Sequence, residues 1–247
     1  MPAKRRSALV SQLHGKVALI TGANRGIGLA IARRLASEGC DLVVTARDEP
    51  TLKKIGRELA HLKVRVLVHV CDVRDPVAVK SLLAAVERQF HRLDILINNA
   101  GIAHPSQNVE KLPFESWLEV IDTNLNALFL VTHAALPLMK HGSAIVNNLS
   151  IAAKRVFAGS SAYTASKHGA LGFTSTLREE LRSQGIRVIA LIAGATDTEI
   201  WNTLWPNAPR EKMMSPETIA VAVVNALKLP PDGTMEELVI LPTAGTL

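Results

Sequence analysis

The chain reads as an α/β protein, a doubly wound parallel sheet of about seven strands with helices on both faces. Three observations predict this. Short apolar runs alternate with longer helical patterns along the whole sequence. A glycine-rich turn, Thr21 to Gly28, joins the first apolar run directly to the first helical pattern. And 247 residues with 48% apolar content suffice for one sizeable core.

Taken in order, Lys16-Val17-Ala18-Leu19-Ile20 suits a buried strand near 16–21. A helix near 26–38 follows, with Ile31, Leu35 and Ala36 apolar and Arg33 and Arg34 interposed. Strands near 41–46 and 64–70 flank a helix near 50–61, for which Asp48 is the N-cap. Val64 to Val70 and Ile186 to Ile192 have the β-branched, apolar composition of strands buried on both faces. Further strands are expected near 93–97, 143–149, 186–192 and 237–241, and helices near 76–90, 114–140, 162–184 and 215–228. Pro113 and Pro216 sit just inside helix starts, where a missing N–H costs nothing.

No repeat, low-complexity segment or interdomain linker interrupts this alternation, so residues 15–247 are read as one domain behind a flexible tail at 1–14. Lys4, Arg5 and Arg6 open that tail without the apolar run of a signal peptide. No apolar stretch approaches the roughly 20 residues that span a bilayer. A cytoplasmic protein with no membrane contact is expected. Cys40 and Cys71 have no metal-ligand spacing and are read as reduced core residues; no metal site is expected. The net charge of +6 comes from 28 basic and 22 interspersed acidic residues. Lys and Arg do not run in blocks, so an anionic small molecule and solvated helix faces explain it better than nucleic acid.

Four motifs carry chemistry. In Tyr163-Thr164-Ala165-Ser166-Lys167 a phenol and an ammonium stand one helical turn apart. The positive charge is expected to pull the phenol's pKa below about 10 and make it a proton donor near neutrality. In the glycine turn, free N–H groups and the helix dipole form a phosphate cradle. Gly22 allows the tight turn, Gly26 admits a pyrophosphate, and Gly28 lets the helix pack on the sheet. Asn98-Asn99-Ala100-Gly101 leaves an apolar strand at its carboxyl end, where ligands bind in open α/β sheets; singly, it also reads as an ordinary Asn/Gly turn. Ser150 ends another apolar strand, thirteen positions before Tyr163, and alone would be a turn or N-cap residue.

Together, Thr21 to Gly28, Asp72-Val73, Asn98 to Gly101, Asn124, Ser150, Tyr163 and Lys167 resemble the short-chain dehydrogenase/reductase family, over Lys16 to about Thr198. The resemblance implies a Rossmann-like domain, a nicotinamide cofactor and hydride transfer at a carbonyl or alcohol carbon. It implies Asn124, Ser150, Tyr163 and Lys167 as the catalytic set. Ser150 would bind the substrate oxygen, Tyr163 would donate the proton, and Lys167 would hold the nicotinamide ribose and tune Tyr163. Asn124 would order a relay water; on its own terms it reads as a satisfied buried amide. Cofactor contacts are implied at Gly22, Asn24, Arg25, Gly26, Ile27, Gly28, Arg47, Asp72, Val73, Asn99, Ala100, Gly101, Tyr163, Lys167, Gly194, Thr196 and Thr198, with Asp72 near the adenine. Two departures stand out. Ala193-Gly194 replaces the family's usual Pro-Gly, loosening that loop, and the terminus from Glu236 to Thr243 lacks the Asp-Gly-Gly of many relatives.

Cofactor choice is legible at the end of the second strand. An acid there would accept from the ribose hydroxyls, but the position is Ala46, followed by Arg47. Arg47 and Arg25 offer guanidinium groups to a 2′-phosphate, so NADP(H) is expected. The expected activity is NADPH-dependent reduction of a ketone or 3-oxoacyl carbonyl to an alcohol. A catalytically silent NADP(H) sensor or scaffold is the alternative, and a nucleic-acid binder has only the basic balance in its favour. The lid is expected over Asp197 to Met214, where Trp201 and Trp205 line an apolar pocket, pack on the core or meet a second copy. Lys154, Arg155 and Phe157 are read as either substrate contacts or solvated loop. The resemblance also implies a homodimer or homotetramer through the helices near 114–140 and 162–184.

Overall fold

The computed structural model describes residues 11–230 and 232–245. β1 (Val17–Thr21) leads to α1 (Gly26–Ser37), β2 (Asp41–Ala46) to α2 (Glu49–Ala60), and β3 (Val66–Val70) to α3 (Pro76–Phe90). β4 (Ile95–Asn98) is followed by α4 (Phe114–Ile121), a π-helical turn at Asp122–Asn126 and α5 (Ala127–Ala135). β5 (Ala144–Asn148), α6 (Ser161–Arg182), β6 (Arg187–Ala193), the short α7 (Trp201–Leu204), α8 (Pro216–Leu227) and β7 (Glu237–Ile240) complete the order.

All seven strands form one parallel sheet in the order β3-β2-β1-β4-β5-β6-β7. Chain direction across the sheet reverses between β1 and β4, which opens a crevice at their carboxyl ends. β1 is buried at every position because both of its faces are covered. Ala18 and Ile20 pack with Ile31 and Leu35 of α1 and Val223 of α8. Val17 and Leu19 face the other way, toward Leu82 and Val86 of α3, Val131 of α5 and Leu177 of α6. Two-sided burial is why the strand reads as an unbroken apolar run rather than an alternating one.

Sequence and structure part in four places. β3 starts at Val66 and is an edge strand, half-buried with Val70 exposed, so the expected two-sided burial of 64–70 does not hold. The single helix expected over 114–140 is broken by the π-helical turn and closes as a 3-10 turn at Leu136–Leu138, where Pro137 cannot continue an α-helix. Pro113 is the N-cap of α4 rather than its first residue, whereas Pro216 does open α8. The tail expected over 1–14 lies outside the described residues only for 1–10. Leu13 is buried, its carbonyl accepts from the Cys40 thiol, and Ser11 donates to Glu38.

Asp48, Asp75 and Ser215 cap α2, α3 and α8 with side-chain oxygens. α1 differs: its N-cap Arg25 makes no capping bond and no acid occupies its first turn. Cys40 and Cys71 are buried free thiols, and burial pushes them up to about 12 and about 11. No helix among the described residues is long and apolar enough to cross a membrane.

Candidate active site

Seven parallel strands deliver their carboxyl ends to one rim, and a cleft of about 1040 Å³ runs along it. Except for Gly28, which lies beneath its floor, every residue singled out in the glycine turn lines this cleft, as do Arg47, Asp72, Val73, Asn99 to Gly101, Ser150, Tyr163, Lys167, Gly194, Thr196 and Thr198. Asn124 stands behind the wall.

Tyr163 and Lys167 share one face of α6, with the ammonium 5.6 Å from the centre of the phenol ring. Ser150 ends the strand alongside. Its Oγ accepts from the Ala152 N–H, capping a short 3-10 turn, and Ser150 and Tyr163 both line the cleft. Lys167 is buried and donates to the Asn148 carbonyl at 3.0 Å, and burial lowers its pKa to about 8.

The expected depression of the Tyr163 pKa is not found. Burial raises it, opposed only by the nearby Ser150 hydroxyl. The neighbouring amine sits over the ring and is itself reluctant to hold charge, so desolvation decides the direction. The phenol consequently keeps its proton through neutral pH.

Asn124 is the satisfied buried amide that it reads as on its own terms. Its Nδ2 donates to the Ile102 carbonyl (2.9 Å) and to Ser166 Oγ (3.0 Å), while Oδ1 accepts from the Ile102 N–H (2.9 Å). Both amide hydrogens are spent, so the side chain braces the turn after β4 against α6 and has one lone pair left for a water. The brace is tight: a Cβ on Gly101 would stand 3.3 Å from Asn124 Oδ1 and 3.7 Å from Lys167 Nζ.

At the other end, Asn99 ties β4 to the glycine turn by donating to the carbonyls of Thr21 and Gly22, and Thr21 Oγ1 accepts from the N–H groups of Asn99 and Ala100. Gly28 lies under this brace, where a Cβ would meet Asn99 Nδ2 and the Gly22 carbonyl at 2.4 Å. Gly22 and Gly26 have positive φ, +62° and +52°. The uncapped α1 start, Gly26 and the exposed Arg25 and Arg47 suit an anion. Among the described residues, Thr123 Oγ1 and Asn148 Oδ1, on the cleft wall, are buried without a hydrogen-bond partner. The chemistry of these groups fits a phosphorylated dinucleotide.

Two arginines beside the cleft, Arg74 and Arg210, are absent from the sequence reading. Arg74 grips Asp72 through Nε and Nη2 and reaches Glu119, holding the Asp72 carboxyl below the usual range. Asp48 is the N-cap expected, accepting from Thr51. Over the cleft, Trp201 donates its indole N–H to the Thr196 carbonyl and meets Trp205 edge-on at 6.5 Å. Arg210 binds Asp197, the Thr198 carbonyl and Asn202, each at 2.7 Å. Lys154 pairs with Glu237 on β7, so it is engaged away from the cleft. Among the described residues no cluster able to hold a metal occurs.

A family model described as short chain dehydrogenase matches residues 16–209. The chain belongs to the short chain dehydrogenase family. Among its relatives, sulfoacetaldehyde reductase 2 of Chromohalobacter salexigens is 35% identical over 92% of this chain and 94% of that protein. A putative ketoacyl reductase of Streptomyces coelicolor is 41% identical over 74% and 71%. Among solved structures, an alcohol dehydrogenase from the archaeon Thermococcus sibiricus complexed with 5-hydroxy-NADP superposes with a TM-score of 0.88 at 33% identity, over 95% of this chain and 99% of that one. As a short chain dehydrogenase the chain is an oxidoreductase, with the Rossmann-like sheet described above.

Proposed function

We propose that this short chain dehydrogenase reduces a ketone to an alcohol with NADPH, using Tyr163 as general acid. The observation that carries the reading is the Ser150–Tyr163 hydroxyl pair set over Lys167 in the same cleft as the uncapped α1 cradle. When bound, NADPH supplies the hydride. Ser150 and Tyr163 direct their hydroxyl groups at the carbonyl oxygen and stabilise the charge that develops there. Tyr163, held protonated by burial, gives its proton to that oxygen. Lys167 offers an ammonium toward the ribose hydroxyls, and Asn124 holds the wall that sets its place. Arg47 and Arg25 bind the 2′-phosphate; each is exposed, and each is close enough to a cleft carboxyl, Asp72 and Asp48 respectively, to help lower it. The relatives support the direction: one solved neighbour carries an NADP derivative, and one relative is named a ketoacyl reductase. The same reading includes a homodimer or homotetramer through α4, α5 and α6; Phe114 and Leu118 of α4 and Phe129 of α5 are exposed.

The deciding experiment is NADPH oxidation with ketones, aldehydes and 3-oxoacyl thioesters, for the wild type and Tyr163→Phe. The variant is expected to lose about 10²–10⁴ in kcat and to bind NADPH with unchanged affinity. Near wild-type turnover in the Phe variant removes Tyr163 from the reaction. Arg47→Ala is expected to raise the NADPH Michaelis constant far more than that for NADH, and equal effects on both refute the assigned 2′-phosphate contact.

A further inference from the structure

We propose that the substrate is an uncharged ketone carrying an aryl or fused-ring substituent, which Trp201, Trp205 and Phe157 receive; this rests on the carbonyl-reductase reading above. Clefts of about 300–1,000 Å³ hold one drug-sized ligand. This one, of about 1040 Å³, runs from the glycine turn past Tyr163 to Trp205, so its lining extends beyond the dinucleotide end.

The distribution of charge along the wall decides the class. Arg25, Arg47 and Arg74 belong to the dinucleotide end, where Arg74 is committed to Asp72 and draws Glu119 to itself. Glu199 lies over the glycine turn, its carboxylate 3.7 Å from where a Cβ on Gly26 would stand. Lys167 is buried under Tyr163 with its Nζ on the Asn148 carbonyl. Among the described residues, the rest of the cleft lining is uncharged apart from Asp48, and its larger side chains include Ile200, Phe157, Trp201, Leu204 and Trp205. Lys154, in the loop between Ser150 and Tyr163, is consumed by Glu237. A sulfonate or carboxylate entering here sheds water and finds no cation lining this part of the wall beyond Lys167, whose Nζ is already on the Asn148 carbonyl, which is costly. The sulfoacetaldehyde in the name of the halophile relative bears such a sulfonate.

The apolar groups are also arranged to hold a ring. The indole of Trp201 is fixed by its bond to the Thr196 carbonyl, and Trp205 stands edge-on to it. Trp205 is 46% exposed and Phe157 36%, large apolar surface at a cleft mouth that an aromatic or alicyclic ligand would cover. Trp205 and Phe157 line the same cleft from separate segments, the lid and the Ser150–Tyr163 loop.

The test compares three ketones, para-acetyltoluene, para-acetylbenzenesulfonate and butanone, and one aldehyde pair, butanal and sulfoacetaldehyde. NADPH oxidation gives kcat/KM, and isothermal titration into the NADP⁺-saturated protein gives Kd. The aryl ketone is expected to exceed both butanone and the sulfonated analogue by about 10-fold or more in kcat/KM, with the same order in Kd. Because the oxidised nicotinamide is positive, the titration is biased toward the anion and is the harder test. Trp205→Ala is expected to lower the aryl-to-butanone ratio by about 10-fold, and Trp205→Phe to restore most of it. A sulfonated substrate used as well as or better than its neutral partner overturns the substrate class and leaves the reductase intact. An aryl-to-butanone ratio indifferent to Trp205→Ala also overturns it. Silence toward every carbonyl with NADPH bound overturns the reductase reading and this one with it.

Discussion

The Lys167 ammonium lies 3.0 Å from the Asn148 carbonyl oxygen, a neutral partner, in a site buried enough to lower its pKa from 10.5 to about 8. Below pH 8 the amine is charged, and one carbonyl dipole does not replace the water it has lost. The unfolded chain therefore holds this proton more tightly than the folded one between pH 8 and 10.5. Stability from this group rises with pH across that window and is lost as pH falls through 8. The shift corresponds to about 3 kcal/mol. Urea unfolding of wild type and Lys167→Met should show the wild-type advantage growing by about 1–3 kcal/mol from pH 7.5 to 10. Parallel pH profiles for the two proteins would sink the assignment. Taking the difference cancels the other groups that titrate in the same range.

Gly28 packs α1 against β4 with no space to spare. A methyl group there meets the Gly22 carbonyl and Asn99 Nδ2 at 2.4 Å. The backbone atom cannot yield, and moving Asn99 breaks its bonds to Thr21 and Gly22. Gly28→Ala should cost about 1–3 kcal/mol of stability and weaken NADPH binding. Denaturant unfolding reads the first effect and a binding titration the second; an unchanged midpoint and Kd would contradict the packing described.

What was legible in the sequence is what local chemistry dictates. β1, β4, β5 and β6 are apolar runs because both faces are covered, and the strand-to-helix turn at Gly22 to Gly28 needs glycine at positions the structure gives positive φ or no room. Tyr163 and Lys167 follow from helical spacing alone. Contacts between distant segments were invisible. β3 reads like its central neighbours, and only the strand order leaves it at an edge. The break in 114–140 surrounds Asn124, whose partners at Ile102 and Ser166 lie 22 and 42 positions away. Lys154 and Glu237 are 83 apart. Arg74 was the one miss with a local signal, since it stands two residues after Asp72 in the turn that follows β3. The Tyr163 pKa was misjudged because spacing reports the ammonium and says nothing of burial.

Glu199 places a carboxylate beside the glycine turn at the uncapped start of α1. A negative group gains there from the helix dipole, and so does a pyrophosphate; the two repel each other. Removing the charge should favour the dinucleotide by about 0.3–1 kcal/mol, a roughly two- to five-fold tighter NADPH Kd for Glu199→Gln. The gain should shrink at high salt, as screening weakens the repulsion. Fluorescence titration of NADPH at two salt concentrations checks it. Weaker binding by the variant would mean that Glu199 supports the dinucleotide instead.

Arg210 fastens the two ends of the segment that covers the cleft. Its guanidinium holds the Asp197 carboxylate, the Thr198 carbonyl and Asn202 Oδ1, while the Thr196–Met214 bridge closes the base. Between these ties lie Trp201 and Trp205, so the clasp sets where their rings stand. Arg210→Ala removes three hydrogen bonds, two of them to neutral acceptors, each worth about 1 kcal/mol net. Because these ties are local, the loss should appear as opening of 197–214 rather than as global unfolding. Amide exchange in that segment should rise by about tenfold or more, with exchange in β1, β4 and β5 unchanged, and the Michaelis constant for the ketone should rise with it. Arg210→Lys, a point charge without the planar fork, should fall between the two. Equal exchange in all three proteins would show that the lid is held by its tryptophans and not by this arginine.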